Sequence, residues 1–400
     1  MATAEGLSKV VSYKKEVTFG VIPPKADSKT IRRVSSNFNL TKETYQSEEI
    51  RQDYQIDDYR HGVRSVEGSI SGELSSGSYS DFIASALARN WTSATPSALG
   101  STTITVLSGI YTITRTTGSW ITDGVRVGNV IRLKGFNANN SSKNLLIVSA
   151  TGTAVGAVVL NNSTLTVETV ASGGTFVVQG KTTYAPSTGH TSDSYTFEEY
   201  YVDVQESEVT TGNKVNTLGI ALPATGLTTV DLSFMGQDLK QTGKVQYFDA
   251  SQPQNSNGVF AAVNGALIVD GKPVALVTSL NVNINRNLSA EAVVGSNIKP
   301  QIYDGRIVIE GDFSTLFQDR TFSDYFDKES EVSLVVALTE SSAPDAGFMS
   351  FTLPRIKLGT DTKDDGEKGI VSQNSFQALK GRGTNGFEAT TLMVQDSSLV

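Results

Sequence analysis

The sequence of 400 residues contains no cysteine, and this absence excludes disulfide bonds, thiolate metal sites and cysteine nucleophiles. Only two histidines are present, His61 and His190, so a catalytic triad or a multi-histidine zinc site is difficult to assemble. No apolar run approaches the roughly 18 residues that a membrane-spanning helix needs, and the N-terminus lacks the apolar core of a signal peptide. We expect a protein that uses no cofactor or metal, folds in the cytosol and does not insert into a membrane.

Basic residues are fewer than acidic residues in the whole chain, and the ratio of basic to acidic residues changes along the sequence. The net charge is −8, with 12 basic and 12 acidic residues in positions 1–92, 6 and 2 in positions 93–181, and 15 and 27 in positions 182–400. The change of sign suggests that 93–181 is a separate module inserted between two parts of one domain, 1–92 and 182–400. A conventional nucleic-acid-binding protein would instead carry a basic stripe that releases counterions from phosphates.

Strict alternation of apolar and polar residues is the most informative pattern in the chain. It occurs at Ser65–Leu74, Leu280–Asn285 and Arg306–Phe313, and a period of two predicts strands with one apolar face and one polar face. The 36 glycines also favour sheet and turns over helix. In the first strand the polar face is formed by Glu67, Ser69, Ser71 and Glu73. A mainly β protein with small polar residues on its outer faces builds surfaces, so we predict a structural protein.

Two short helices are predicted among the strands. In Tyr79–Ala88, Ser80 or Asp81 can cap a helix whose apolar residues form one stripe. A second candidate runs from about Thr315 to Phe326. We interpret both stripes as contacts with the core beneath a sheet.

The positively charged segment 93–181 predicts a small all-β barrel or sandwich. Turn signals such as Thr-Asp-Gly and Ser-Gly-Gly separate short apolar runs. The predicted strands are Thr102–Val106, Tyr111–Thr114, Val125–Leu133, Leu145–Ser149, Val155–Leu160, Thr164–Val170 and Thr175–Val178. Trp120 and Tyr111 leave two interpretations open. They could contact a glycan, or, as the simpler interpretation, they are aromatic residues of a small hydrophobic core.

Residues 41–64 differ from the rest of the chain, because 10 of the 24 are charged and no clean period is present. The segment also contains Tyr45, Tyr54 and Tyr59. Long charged segments with aromatic residues inside a compact domain are often functional or mobile. Composition alone leaves two interpretations open, a solvated loop and a functional surface.

Motifs that look catalytic lack their structural context. Gly68–Gly72 fits the G-x-S-x-G pattern, but alternation continues through Ser71, whereas a nucleophile elbow needs a strand-to-helix turn there. Gly381–Gly386 fits G-x-G-x-x-G, but a strand-like run follows in place of the helix that a dinucleotide site requires. Asp361–Gly366 lacks the glutamate that completes a calcium loop. We therefore predict no enzyme activity, and a hydrolase that uses Ser71 is the weakest alternative.

Several segments taken together resemble the major tail tube proteins of siphophages, the phages with long non-contractile tails. These segments are Tyr13–Pro23, Glu48–Arg51, Gly68–Leu74, Tyr79–Ile83, Asp312–Phe317, Leu353–Arg355 and Phe376–Ala378. In addition, Ile121–Leu133 resembles a β module of some phage tail proteins. The resemblance implies a tail-tube-type β-sandwich or barrel with a flanking short helix, together with an inserted small all-β domain.

The resemblance also implies a function. Six copies would close into a ring, and rings would stack into the hollow tube of the virion tail, through which phage DNA passes without specific binding. The implied partners are other copies of the chain, the tape measure protein, the tail terminator and the distal tail protein. Heterologous contacts of this kind close rings and build helical filaments, and closure removes exposed sheet edges. Assembly would take place in the host cytoplasm.

The resemblance assigns roles to two groups of residues. Residues 41–64 are similar to an arm that packs on neighbouring subunits, and its candidate contact residues are Tyr45, Glu48, Glu49, Arg51, Asp53, Tyr54, Asp57, Asp58, Tyr59 and Arg60. The polar strand face, Glu67, Ser69, Ser71 and Glu73, suits a wet lumen. The inserted module would project from the outer surface of the tube.

The alternative function is an adhesin or decoration protein of a phage or bacterium that binds a surface receptor or glycan. It explains the sheets and the Ser/Thr-rich insert. It explains less well the missing secretion signal and the ordered series of family-like segments.

Overall fold

A computed structural model describes residues 3–161, 163–274, 276–365 and 367–399. It confirms the mainly β fold, with two short α-helices, α1 (Ser80–Ala86) and α2 (Thr321–Asp327), and two 3₁₀ turns at Gly6–Ser8 and Ala262–Asn264.

The strands before the insert are β1 (Lys9–Lys15), β2 (Lys29–Thr30), β3 (Ser35–Gln46), β4 (Tyr59–Glu73) and β5 (Thr92–Ser93). The strands of the insert are β6 (Ser97–Ala98), β7 (Thr102–Leu107), β8 (Ile110–Arg115), β9 (Val130–Lys134), β10 (Leu145–Ala150), β11 (Ala154–Val159), β12 (Glu168–Val170) and β13 (Thr175–Val178). The strands after the insert are β14 (Lys181–Tyr184), β15 (Tyr195–Tyr201), β16 (Glu206–Pro223), β17 (Thr229–Gly236), β18 (Asp238–Gly243), β19 (Gly265–Val269), β20 (Lys272–Pro273), β21 (Val277–Asn285), β22 (Ser289–Ala290), β23 (Ile302–Tyr303), β24 (Val308–Leu316), β25 (Val332–Thr339), β26 (Phe348–Leu358), β27 (Thr362–Lys363), β28 (Val371–Ala378) and β29 (Met393–Asp396).

The three alternating strands of the sequence meet in one antiparallel sheet, which we call the polar-faced sheet. Its strand order is β3-β4-β17-β16-β21-β24-β28-β26. One side of this sheet is apolar and buried, with residues such as Ile70, Leu232, Val282 and Ile309 in the main core. Alternation thus places every second side chain of neighbouring strands in the core and leaves the others on the opposite face.

A second layer covers the apolar side of the polar-faced sheet. It contains β1 paired with β15 and, farther along, β19 paired with β25, whose other edge pairs with β26. Helix α1 belongs to the same core through Phe82, whose ring centroid lies 5.4 Å from that of Phe234. Helix α2 places Phe322 5.3 Å from Phe313. Both helices therefore contact the core beneath a sheet, as their apolar stripes predicted.

The insert forms its own eight-stranded sheet in the order β12-β7-β8-β11-β10-β9-β13-β6. Each of the seven strands predicted for it is confirmed, although β9 begins at Val130 and β12 at Glu168, later than expected. Trp120 is fully buried against Phe176, with 4.8 Å between ring centroids. The ring is therefore core, and the glycan contact proposed for it is wrong.

The insert shares its core with the rest of the chain through strand β25, which is buried along its whole length. Leu334 and Val336 point into the main core, whereas Val335 and Ala337 point into the core of the insert together with Phe348. The layers therefore follow one another as polar face, polar-faced sheet, main core, second layer, insert core and insert sheet. Because the insert is docked on the second layer, it lies on the side of the chain opposite to the polar face.

Two sequence-based boundaries are wrong. The helix expected from Thr315 begins at Thr321, because β24 continues to Leu316, where it still pairs with Val371 of β28. Residues 41–64 are not a loop as a whole, since β3 extends to Gln46 and β4 begins at Tyr59. The division of the chain at 92/93 and 181/182 stays a prediction.

Candidate functional site

The arm, residues 41–64, is the outer end of a long antiparallel hairpin. Strands β3 and β4 pair from Ser35 opposite Ser71 to Gln46 opposite Tyr59, with an irregularity in register after Lys42. The backbone N–H of Ser47 donates to the carbonyl of Asp58 at 3.0 Å, which leaves about ten residues at the tip. Most residues of the arm are solvent exposed on both faces of the hairpin, so it projects away from the core.

Most of the charged candidates in the arm pair with each other. Arg51 lies 2.7 Å from Asp57 and 3.4 Å from Asp53, and Arg60 lies 2.8 Å from Asp58. The hydrogen bond from Arg60 lowers the pKa of Asp58. Exposed pairs of this kind contribute little to stability, because solvent screens the charges. Their effect is to order the tip rather than to stabilise the fold.

Glu48 and Glu49 remain without an ion-pair partner in the described part of the chain. Ile50 beside them is fully exposed, and Tyr54 is 98% exposed. Ile50 and Ile56 were not among the predicted contact residues, but both are exposed close to Tyr54, and several exposed apolar side chains in one short segment are a signal for a contact surface. The tip therefore presents unpaired acid next to apolar side chains.

The other two tyrosines have partners within the hairpin. The hydroxyl of Tyr45 donates to Glu43 at 2.8 Å, and this hydrogen bond raises the pKa of Tyr45. Its ring lies across Gly62, where a Cβ atom would collide with it. The ring of Tyr59 stands edge-on to His61 with centroids 5.5 Å apart. Tyr45 and Tyr59 are each still more than half exposed, so both remain available to a partner.

A connection that we call the strap, residues 286–307, fixes the base of the arm. It runs between β21 and β24, and the carbonyl of Asn297 accepts a hydrogen bond from the backbone N–H of Arg64 at 2.9 Å. The side chain of Arg64 pairs with the buried Asp238 at 3.1 Å. Lys299 of the strap borders the same end of the polar-faced sheet. The arm is thus anchored where it leaves the sheet.

The structure brings all four residues of the predicted polar strand face into one surface. Glu67, Ser69, Ser71 and Glu73 lie on the solvent side of β4, between β3 and β17. The hydroxyl of Ser69 donates to Asn37 on β3 at 2.7 Å. Short polar side chains of this face therefore bond to their neighbours across the strands.

This surface, the polar face, continues over seven strands from β3 to β28. Its members on the other strands include Asn37 and Asn39, Ser233, Thr217, Asn281, Asn283 and Asn285, Ser375 and Gln377. Its charged members are Glu67, Glu73, Asp231, Glu310 and Asp312. One cation shares these register positions on the described strands β3 to β28: Lys214 of β16 lies opposite Met235, which lies opposite Glu67, but it is buried and paired with Asp304. The exposed charged residues of these strands on the polar face are thus acidic, and Lys299 of the strap borders the face at one end.

Catalytic and metal chemistry receive no support from the geometry. The hydroxyl of Ser71 donates to Asp231 at 2.5 Å on an open, continuous strand, so the elbow that a serine nucleophile needs is replaced by a flat sheet. Within the described ranges, no cluster of three or more His, Asp or Glu residues is arranged to hold a metal ion.

A buried charge network beneath the strap was not anticipated from the sequence. Asp304 lies 3.0 Å from Lys214 and 2.7 Å from Arg286, and both cations are 5% exposed. Burial acts to raise the pKa of Asp304, but hydrogen bonds from Ser192 and Lys214 outweigh it, and the pKa is lowered. The network ties the strap to β16 and, through Arg286 and the Ser85 carbonyl, to α1.

Comparison with protein families matches residues 6–378 to the model of the phage tail tube proteins. The chain belongs to the phage tail tube protein family. This match spans the polar-faced sheet, both helices and the insert, so the tail-tube resemblance is confirmed. Comparison with curated proteins yields no significant match.

Membership makes the tail tube protein a structural component of the virion tail that assembles with itself into a tube. No helix among the described residues is long and apolar enough to cross a membrane. The arm is a candidate surface for contacts between copies, and the polar face is a candidate solvent-facing surface of the assembly.

Proposed function

We propose that this tail tube protein forms rings that stack into the hollow tail of a siphophage, and that the polar face lines the bore through which DNA is ejected. The observation that carries the proposal is the polar face itself, a continuous seven-stranded surface of small polar residues whose exposed charged side chains are acidic. Among the described residues the strap borders one end of this face, through Lys299, and the rest of the face is open. In a tube it would meet water and passing DNA.

The chemistry of the polar face suits transit rather than binding. Proteins hold DNA through Lys and Arg, which neutralise phosphates and release counterions. Carboxylates such as Asp231, Glu310 and Asp312 repel phosphates instead. Because Ser, Thr and Asn are short, they keep the bore open and the surface wet. DNA would therefore slide along the wall without being retained.

The arm supplies contacts between subunits in this proposal. It projects beyond the sheet, its base is fixed by the strap, and its tip presents Glu48, Glu49, Ile50 and Tyr54 to the outside. Unpaired charge beside exposed apolar and aromatic residues is typical of a contact surface. The ion pairs of Arg51 and Arg60 hold the tip in one shape before it meets a neighbour.

The insert would lie on the outer surface of the tube. The layer order supports this placement, because the insert is separated from the polar face by the main core and the second layer. A bore lined by the polar face leaves the insert on the exterior, where it decorates the tube or meets the host surface. The adhesin alternative gains no support from the buried Trp120.

The remaining details follow from the family resemblance and are part of the proposal. Rings would have the sixfold arrangement that the resemblance implies, assembly would take place in the host cytoplasm, and the ends of the tube would meet the tape measure, terminator and distal tail proteins. No enzymatic step is needed for any of these roles.

Electron microscopy of the purified, concentrated protein tests the proposal. The chain has no native cysteine, so a single Cys can be labelled with maleimide nanogold before assembly. We expect hollow filaments in which Ser69→Cys places gold in the bore. The matched control is Thr105→Cys, an exposed insert position, which should place gold outside. Compact particles that never polymerise would refute the tube, and gold on the outer wall from Ser69→Cys would refute the lining.

A further inference from the structure

The chain contains the tube module twice. Strand β4 and helix α1 are repeated by strand β24 and helix α2 with the same spacing. Val66-Glu67-Gly68 matches Ile309-Glu310-Gly311, and Tyr79-Ser80-Asp81-Phe82 matches Phe322-Ser323-Asp324-Tyr325, without a gap between the two motifs. Self-similarity at a fixed separation is the sequence signature of a repeated structural unit.

The strand pairings repeat in the same way. In the first module the antiparallel pairs are β1–β2, β1–β15, β15–β16, β16–β17, β17–β4 and β4–β3. In the second they are β19–β20, β19–β25, β25–β26, β26–β28, β28–β24 and β24–β21. Gly68 lies opposite Phe234 and Gly311 lies opposite Phe376. The two modules therefore share one topology and one register.

The two modules are joined in the polar-faced sheet by a single junction. The end of β16, the last of the four sheet strands of the first module, pairs with β21, the first sheet strand of the second. The register runs from Thr217 opposite Asn285 to Pro223 opposite Ser279. This junction shows how one tube module meets the next, side by side, with continuous backbone hydrogen bonding.

The equivalent edges at the two ends of the sheet are open. Strand β3, the counterpart of β21, pairs only with β4 in the described part of the chain. The counterpart of the end of β16 is the segment 360–365, in which β27 pairs only with β28 among the described strands. Its residues from 362 onward are exposed. Unpaired strand edges of this kind are templates for pairing with another chain.

We propose that β3 of one copy pairs with residues 360–365 of the next copy, so that three copies, each with two modules, close one ring. This inference rests on the proposed tube. Carrying over the internal register places Asn39 opposite Thr362 and Phe38 opposite Lys363. Asn39 and Thr362 then extend the polar face across the junction without interruption.

Charge and geometry agree with this pairing. The same register brings Arg33, just before β3, toward the acidic residues Asp364, Asp365 and Glu367 of the neighbouring copy. Each chain contributes eight strands to the polar-faced sheet, so three copies build a closed wall of 24 strands. Six copies would need twice as many, and barrel diameter grows roughly linearly with strand number. A wall of about 24 strands already exceeds the 16–18 strands of porins that enclose an aqueous channel.

Disulfide trapping in the cysteine-free chain tests the junction. Directly opposed residues of antiparallel strands have Cβ atoms about 4.5–5.5 Å apart, within reach of oxidation after small shifts. Asn39→Cys combined with Thr362→Cys is oxidised in assembled tubes, and the chains are separated under denaturing, non-reducing conditions. We expect covalent species of two and three chains, with three as the upper limit. The matched control, Ala221→Cys with Asn281→Cys, reports the internal junction and should yield monomers only.

The outcomes separate this inference from the tube itself. Tubes that contain only uncrosslinked chains, while the control oxidises fully, would refute the edge pairing but leave the tube intact. A ladder that extends to six chains would refute the ring of three. If the double variant does not assemble, reconstruction of the wild-type tube decides, because only the first module carries an insert. Three inserts per ring of six modules would support the proposal, and six would overturn it.

Discussion

Substitution of Val335 by Ala tests whether the insert is a fixed layer of the tube protein or a loosely tethered module. Val335 is 1% exposed and points into the core of the insert, whereas its neighbour Val336 is 2% exposed and points into the main core. Both residues lie in the middle of β25 and have the same strand environment. They therefore form a matched pair that differs only in the core that each one fills.

The magnitude follows from the buried groups. Replacement of Val by Ala removes two methyl groups, and each is worth about 0.8 kcal/mol of transfer free energy. The cavity left behind adds to this loss, so about 2–3 kcal/mol is expected for each variant. If the insert undocks readily in solution, the side of β25 that bears Val335 is already exposed to solvent. Val335→Ala should then leave the free energy of unfolding almost unchanged.

Urea unfolding of the unassembled protein, followed by far-UV circular dichroism, measures both losses. We expect Val335→Ala and Val336→Ala to lower the free energy of unfolding by similar amounts with unchanged urea dependence. The layered fold would be refuted if Val336→Ala lost 2–3 kcal/mol, on the scale of large-to-small core changes, while Val335→Ala stayed within about 0.5 kcal/mol of wild type, the range of surface substitutions.

Two further predictions concern the arm and the buried network. Glu48→Lys combined with Glu49→Lys should leave the stability of the monomer unchanged. The double variant should raise the critical concentration for tube formation, measured by sedimentation, at least tenfold, or about 1.4 kcal/mol. An unchanged critical concentration would show that these carboxylates do not lie in the interface. Asp304→Asn leaves Lys214 buried without its counter-charge and should cost about 3–5 kcal/mol of stability. Since Ser192 and Lys214 lower the pKa of Asp304, its stabilisation is present above the unfolded pKa of about 3.9 and is lost as the pH falls through the lower folded pKa. Acid unfolding curves of the variant should therefore lack this component, and an identical curve would contradict the role of the network.

Alternation in the sequence predicted those strands that have one face in a core. Ser65–Leu74 and the seven strands of the insert are of this kind, and the structure confirms each of them. The outer parts of β3 and β4 were not predicted, because neither face of the hairpin is buried there and residues such as Thr44 and Tyr59 are exposed on both sides. Period-two alternation reports burial rather than extended backbone. A strand with both faces exposed therefore lacks the alternating pattern and is predicted as a loop.

The start of α2 was misplaced for a related reason. Leu316 and Phe317 are apolar and lie close to the apolar stripe of the helix, so a helical period fits them as well as a strand does. The structure assigns Leu316 to β24, where pairing with Val371 on the next strand decides the conformation. That partner is distant in sequence, and local pattern contains no information about it.

The duplication of the tube module was not predicted from the sequence, for a third reason. The repeated positions preserve alternation and a few residues, such as Glu67 with Glu310, while the insert lengthens only the first module. The two modules also keep Asn37 and Asn39 of β3 as Asn281 and Asn283 of β21, so part of the polar face is the same in both modules. Glu67 and Glu310 occupy equivalent register positions on β4 and β24. In a ring of six modules these glutamates would form a circle of carboxylates at one level of the bore. Every module would contribute one carboxylate to that circle.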